Sequence, residues 1–142
     1  PSFICWGHNN RSALVRVPMY KPNKGQSTRV EYRALDSAAN PYLAYALLLA
    51  AGLKGIEEGY ELARPVEENI FKMTDAELAE RGIHALHGSL WEALVEMEES
   101  EFMKETLGEH LHAGLVRAKR MEWDEWRMRV TDYEIAKYLP ML

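Results

Sequence analysis

The sequence contains a single cysteine in 142 residues, Cys5. One thiol excludes an internal disulfide framework and makes a cytosolic location the expectation. No apolar run approaches the ~20 residues that a membrane-spanning helix requires. The longest, Tyr42–Leu49 with its flanking alanines, ends at Gly52 and Lys54. No signal peptide, internal repeat or low-complexity segment is legible. The chain opens without a methionine, on Pro-Ser-Phe-Ile-Cys-Trp, which reads as a strand already under way. That opening suggests a chain that begins inside a larger protein.

Acidic residues are scarce at one end. Residues 1–35 hold six basic side chains (Arg11, Arg16, Lys21, Lys24, Arg29, Arg33) and one acid, Glu31. Subtracting these from seventeen basic and twenty-two acidic residues leaves eleven basic and twenty-one acidic beyond residue 35. The net charge of −5 thus hides a positive first quarter. A local positive field in an acidic protein suggests an anionic ligand at one end. A nucleic-acid surface would need a broad basic stripe, so no nucleic-acid partner is expected. With 47% hydrophobic and 27% charged residues, the composition suits one ordinary domain with its own core.

Two regimes follow one another. Up to about residue 35 the runs SFICWG, SALVRVPMY and TRVEYRAL read as strands, taken here as antiparallel, with turns at His8-Asn9-Asn10 and Lys21–Gln26. From about residue 40 to 140 helices dominate. Asn40 with Pro41 is an N-cap with proline at the first helical position. The helix that follows, to about Glu58, is apolar nearly all round for its first three turns and is expected to be deeply buried. Thr74–Glu77, Ser89–Glu92 and Thr131–Glu134 are capping boxes. Ser100 caps a short helix ending near Gly108, and Glu109–Val130 reads as one long helix. Strands followed by packed helices indicate an α+β fold.

The segment STRVEYR, Ser27–Arg33, holds the densest candidate chemistry. On a strand, Arg29, Glu31 and Arg33 share one face. One reading is a solvated face of ion pairs, each worth little. The other is an anion and metal site, since arginine forks bind phosphate and carboxylate oxygens and a lone carboxylate can ligate Mg²⁺. Arg11 and Arg16 are five apart, so one of them must leave the strand face for a turn or bulge. The Lys21–Gln26 loop matches no P-loop pattern. His84, His87, His110 and His112 form no metal constellation and read as surface or packing residues. His8 reads as a turn residue near the basic segment. Cys5 reads as core rather than nucleophile, and Trp91, Trp123 and Trp126 as packing on helices.

The segments NRSALVRVP, TRVEYRALDSAANPYLAYALLLAAGLKGI, GSLWEAL and EWDEWRMRVTDYEIAKYL resemble the C-terminal part of the catalytic domain of bacterial type I glutamine synthetases. The resemblance runs over essentially the whole chain, and the NRSA and R-x-E-x-R…AANPYLA segments are its most specific parts. It implies ligation of ammonia to the γ-carboxylate of glutamate at the expense of ATP, through γ-glutamyl phosphate. It implies a cytoplasmic, ring-shaped homo-oligomer, a dodecamer, with Mg²⁺ or Mn²⁺ and no membrane partner. Position by position, Arg11 would contact glutamate and the ATP γ-phosphate. Arg16 and Arg29 would bind nucleotide phosphate. Glu31 would ligate the metal. Arg33 would hold the γ-carboxylate and stabilise its charge as it is phosphorylated. Lys24 matches a family lysine near ATP, with Lys21 as competitor because the loop is longer here.

Departures from the family pattern carry their own expectations. The family's flap glutamate would fall before Pro1, and its other metal-binding acids and a substrate histidine belong to upstream segments. The isolated 142 residues are therefore expected to be catalytically incompetent. Phe71 stands where some relatives carry a tyrosine that is adenylylated, and it has no hydroxyl to modify. Two other readings stay open. One is a ligase of the same kind that uses a polyamine or another amine. The other is a non-catalytic binding or assembly module.

Overall fold

Strand β1 (Phe3–His8) and strand β2 (Ala13–Val17) form the centre of a four-stranded sheet. A computed structural model of the chain describes residues 2–19, 22–23 and 25–142, with Ser27 described by its backbone only. Two-residue strands β3 (Glu31–Tyr32) and β4 (His84–Ala85) flank the pair, giving the order β3-β2-β1-β4. The chain divides into two compact units, Pro1–Leu86 and His87–Leu142.

The sheet is mixed, which corrects the antiparallel expectation at one place. β2–β3 and β1–β4 are antiparallel, but β1 and β2 run parallel. A link as short as residues 9–12 normally makes a hairpin, whereas parallel strands ordinarily need a crossover of a dozen residues or more. The short link misleads because its pairing is set elsewhere. Asn9 takes a left-handed φ of 54°, and Asn10 is tied to a segment far away in sequence. β4 is a second departure, since the sequence reads there as loop.

The first unit has one core. Ala13, Val66, Ile70, Leu78 and Ile83 are buried, and Phe3, Cys5 and Met73 pack against them. Burial pushes the Cys5 thiol up, so it is less nucleophilic and acts as packing. The segment before Ile70 runs along β1: the Val66 N–H donates to the Trp6 carbonyl at 2.8 Å. Gly7 is required by this approach, because a Cβ there would lie 2.2 Å from the Val66 carbonyl oxygen.

Helix α1 (Pro41–Glu57) begins as its sequence dictates, with the Asn40 side chain accepting from the Tyr42 N–H at 3.0 Å. Its burial is not as expected. No α1 residue is buried, and Tyr42 and Ile56 are 84% and 79% exposed. A helix apolar all round has no face suited to water, and the described residues supply no cover for it. Helix α2 (Asp75–Glu80) starts in a complete Thr74–Glu77 capping box.

In the second unit, helix α3 (Leu90–Glu99) packs on helix α4 (Glu101–Arg127) through buried Leu94, Leu107 and Val116. Gly108, at φ 74°, breaks α4 where the sequence places the end of a short helix. His112 is buried there, its Nε2 2.8 Å from the Met97 carbonyl oxygen. Trp91 stacks on Trp123 at 6.3 Å, and Trp123 lies 5.1 Å from Trp126. Helix α5 (Asp132–Tyr138) opens in the Thr131–Glu134 box. No helix among the described residues is long and apolar enough to cross a membrane.

Exposure separates the apolar residues that hold this fold from those that do not. Ile70→Ala should cost about 2–5 kcal/mol, while Ile56→Ala in α1 should stay within ~0.5 kcal/mol, both read from denaturant melts of the 142-residue chain. The capping glutamates give a pH signature. The Thr74 and Thr131 backbone N–H groups are the main cause holding Glu77 and Glu134 below the usual carboxylate range. Their contribution is complete above the ordinary glutamate value of ~4.3 and is lost as pH falls through the depressed value. Amide protection factors, taken relative to the intrinsic rate at each pH, should fall in the first turns of α2 and α5 only in that acid window.

Candidate functional site

Arg16 on β2 and Glu31 on β3 are register partners in the antiparallel pair. Opposed residues on one sheet face come within side-chain reach, so the topology sets a guanidinium across from a carboxylate. Arg29 and Arg33, two residues to either side of Glu31, come to the same carboxylate. Arg16 directs Nε and Nη2 at Glu31 Oε2, at 2.8 and 2.7 Å. Arg29 directs Nε and Nη2 at Oε1, at 2.9 and 2.7 Å. Arg33 Nη1 reaches Oε2 only at 3.9 Å. The backbone pairing continues past β3, with the Arg33 N–H donating to the Leu14 carbonyl at 2.9 Å.

Most of the charged cluster is sheltered, with Arg29, 54% exposed, as its open member. Arg16, Glu31 and Arg33 side chains are 18%, 21% and 29% exposed. Val30 and Tyr32 on the opposite face are 67% and 42% exposed. Hydrogen bonding from Arg16 is the largest influence on Glu31 and holds its carboxyl below the usual range. Partial desolvation opposes it, and Arg29 adds to it. Glu31 in turn raises Arg16 above its ordinary value. The Nε of Arg33 is buried and has no hydrogen-bond partner among the described residues. An unsatisfied buried donor is costly, which marks Arg33 as the least committed guanidinium of the three.

Of the sequence candidates, Arg16, Arg29, Glu31 and Arg33 are brought together. Arg11 is the arginine that leaves the strand face: it lies exposed in the turn before β2 and makes no ion pair among the described residues. Lys24 and its competitor Lys21 fall outside the described residues.

The residues flanking Arg11 were not singled out by sequence reasoning. Asn10 is buried and donates through Nδ2 to the Val66 and Glu68 carbonyls at 2.6 and 2.9 Å. Its Oδ1 accepts from the Ser12 N–H and Oγ–H at 2.9 and 2.6 Å. Ser12 Oγ accepts from the Ile70 N–H at 3.2 Å. The NRSA segment marked their position but not their role, since their partners lie 56–58 residues away. His8 closes β1 rather than sitting in the turn, with Nδ1 and its N–H both against Glu67 Oε1 at 2.9 and 3.0 Å.

The arrangement can grip anions but does not by itself hold a metal. Mg²⁺ asks for about six oxygen ligands. Among the described residues no three His, Cys, Asp or Glu side chains gather to supply them. Both Glu31 oxygens already face guanidinium groups. The residues present therefore do not fit a complete divalent-metal site.

A family model described as glutamine synthetase, catalytic domain, matches residues 1–138. The chain belongs to the glutamine synthetase catalytic-domain family. It is 50% identical over 141 residues to a glutamine synthetase of Mycolicibacterium smegmatis, covering 99% of this chain and 32% of that one. It is 46% identical over 142 residues to a glutamine synthetase of Methanosarcina mazei, covering 100% of this chain and 31% of that one. Among solved structures it is similar to "Apo GmaS without ligand", with a TM-score of 0.79 at 31% identity over 98% of this chain and 30% of that one. The chain thus spans about a third of the length of the curated glutamine synthetases it matches.

The buried polar link beneath Arg11 gives a direct test. Asn10→Ala leaves the Val66 carbonyl and the Ser12 groups short of partners and should cost about 3 kcal/mol in a denaturant melt. The Ile70 amide should lose protection from hydrogen exchange in the same variant, ahead of the amides of α4.

Proposed function

We propose that this chain is the phosphate- and carboxylate-gripping part of a glutamine synthetase, which joins ammonia to the γ-carboxylate of glutamate using ATP. What carries this reading is the Arg16, Arg29 and Arg33 cluster around Glu31, in a chain 50% identical to a glutamine synthetase. In the first step a γ-carboxylate oxygen attacks the ATP γ-phosphorus and ADP leaves, giving γ-glutamyl phosphate. In the second, ammonia attacks the acyl carbon, phosphate leaves and a proton is lost. Phosphoryl transfer depends chiefly on positioning and charge neutralisation. Arg16 and Arg29 are assigned to the nucleotide phosphates. Arg33 is assigned to the γ-carboxylate and the charge that develops on it, a role its uncommitted Nε suits. Arg11, exposed at its turn, is assigned to glutamate and the γ-phosphate. Lys24 keeps its assignment near ATP.

A divalent ion, Mg²⁺ or Mn²⁺, would neutralise phosphate charge in the whole protein. Glu31 is the one ligand this chain would contribute, and the remainder would come from residues outside it. The reading keeps the cytoplasmic location and the homo-oligomer that the resemblance implies. The uncovered apolar α1 supports assembly with further protein surface rather than action as a free unit.

Two measurements test this. The isolated 142 residues should form no glutamine from glutamate, ammonium and ATP. A protein carrying them together with the rest of the relatives' length should do so, and Arg33→Ala in it should lower kcat by about 10²–10³-fold. Turnover with a polyamine in preference to ammonium would instead favour the amine-ligase reading.

A further inference from the structure

Three guanidinium groups meet one carboxylate, and their shares are unequal. Arg16 and Arg29 each present the Nε–Nη2 edge to Glu31, one to each oxygen. Arg33 does not: it stands 3.9 Å from Oε2 and keeps a buried Nε with no partner among the described residues. That Nε–Nη2 edge is the same edge that grips a phosphate oxygen pair, since carboxylate and phosphate are read by one fork geometry. Each edge here closes on a single Glu31 oxygen, so Glu31 occupies the donors that a ligand's phosphate oxygens would take.

We propose that Glu31 is an internal anion that holds the forks of Arg16 and Arg29 closed, and that a polyphosphate binds by taking those forks from it, with Arg33 as the first foothold. This rests on the reading of the cluster as a phosphate site. The opposite account is that Glu31 only preorganises the arginines, so that its loss would weaken binding. Two observations decide between them. Arg16 is only 18% exposed, so its surroundings confine it whether or not Glu31 is charged. And Glu31 engages four N–H donors while cancelling one of three positive charges. Removing the charge frees the donors and strengthens the field on a polyanion, against a loss of order at the more exposed Arg29.

The test is titration calorimetry of inorganic tripolyphosphate into the 142-residue chain at low ionic strength without divalent cations. Glu31→Gln should bind about tenfold more tightly than wild type, with Glu31→Ala moving in the same direction. The double variant Arg16→Ala/Arg29→Ala should lose binding. Equal or weaker binding by both folded Glu31 variants overturns the proposal. If the double arginine variant still loses binding in that case, the phosphate site stands without the internal anion. If the double variant binds like wild type, the phosphate reading itself fails and takes the proposal with it. Absence of binding in every variant overturns it as well. So does loss of the wild-type circular dichroism spectrum in both Glu31 variants, which would make Glu31 a structural residue.

Discussion

The first unit depends on one buried hydrogen-bonded seam between the Asn10–Ser12 turn and residues 66–70. Asn10 fills all its main capacities inside that seam, donating to Val66 and Glu68 and accepting twice from Ser12. Ser12 then accepts from Ile70. Buried polar groups are tolerated only when so satisfied. The seam fastens the short link that lets β1 and β2 run parallel, and it delivers Val66 and Ile70 to the core beside Ala13. It also leaves Arg11, the residue between its two anchors, turned out to solvent.

From that seam the site follows by register. Once β2 is placed, antiparallel pairing sets Arg16 opposite Glu31, and the two-residue period brings Arg29 and Arg33 to the same carboxylate. Arg16, Glu31 and Arg33 are sheltered there, while Arg29 and the Val30–Tyr32 face are open. A cluster of three arginines around one glutamate retains positive charge, which is what a receptor for phosphate and carboxylate groups requires. The same excess explains why the cluster alone is no metal site.

Much of this was legible in the sequence. The caps at Asn40, Thr74 and Thr131, the break at Gly108 and the α+β order follow from local chemistry that acts over three or four residues. The alternation of STRVEYR foretold which charges share a face. The parallel β1–β2 pair, strand β4 and the roles of Asn10 and Ser12 were not legible, because each depends on a partner tens of residues away. The burial expected of α1 from its composition is not met, because burial needs a covering surface. The described residues do not provide one, and the chain spans only about a third of its relatives' length.

By itself the sequence determined the helices, their ends, the uneven charge and the family, since all of these are written in residue type and short spacing. Only the tertiary structure decided that Glu31 is gripped by Arg16 as well as by its neighbours, that Arg33 keeps a donor unsatisfied among the described residues, and that Arg11 stands apart from them. The physical reason is that hydrogen bonds and ion pairs act over about 3 Å, and no spacing along the chain reveals which distant groups the fold will bring that close.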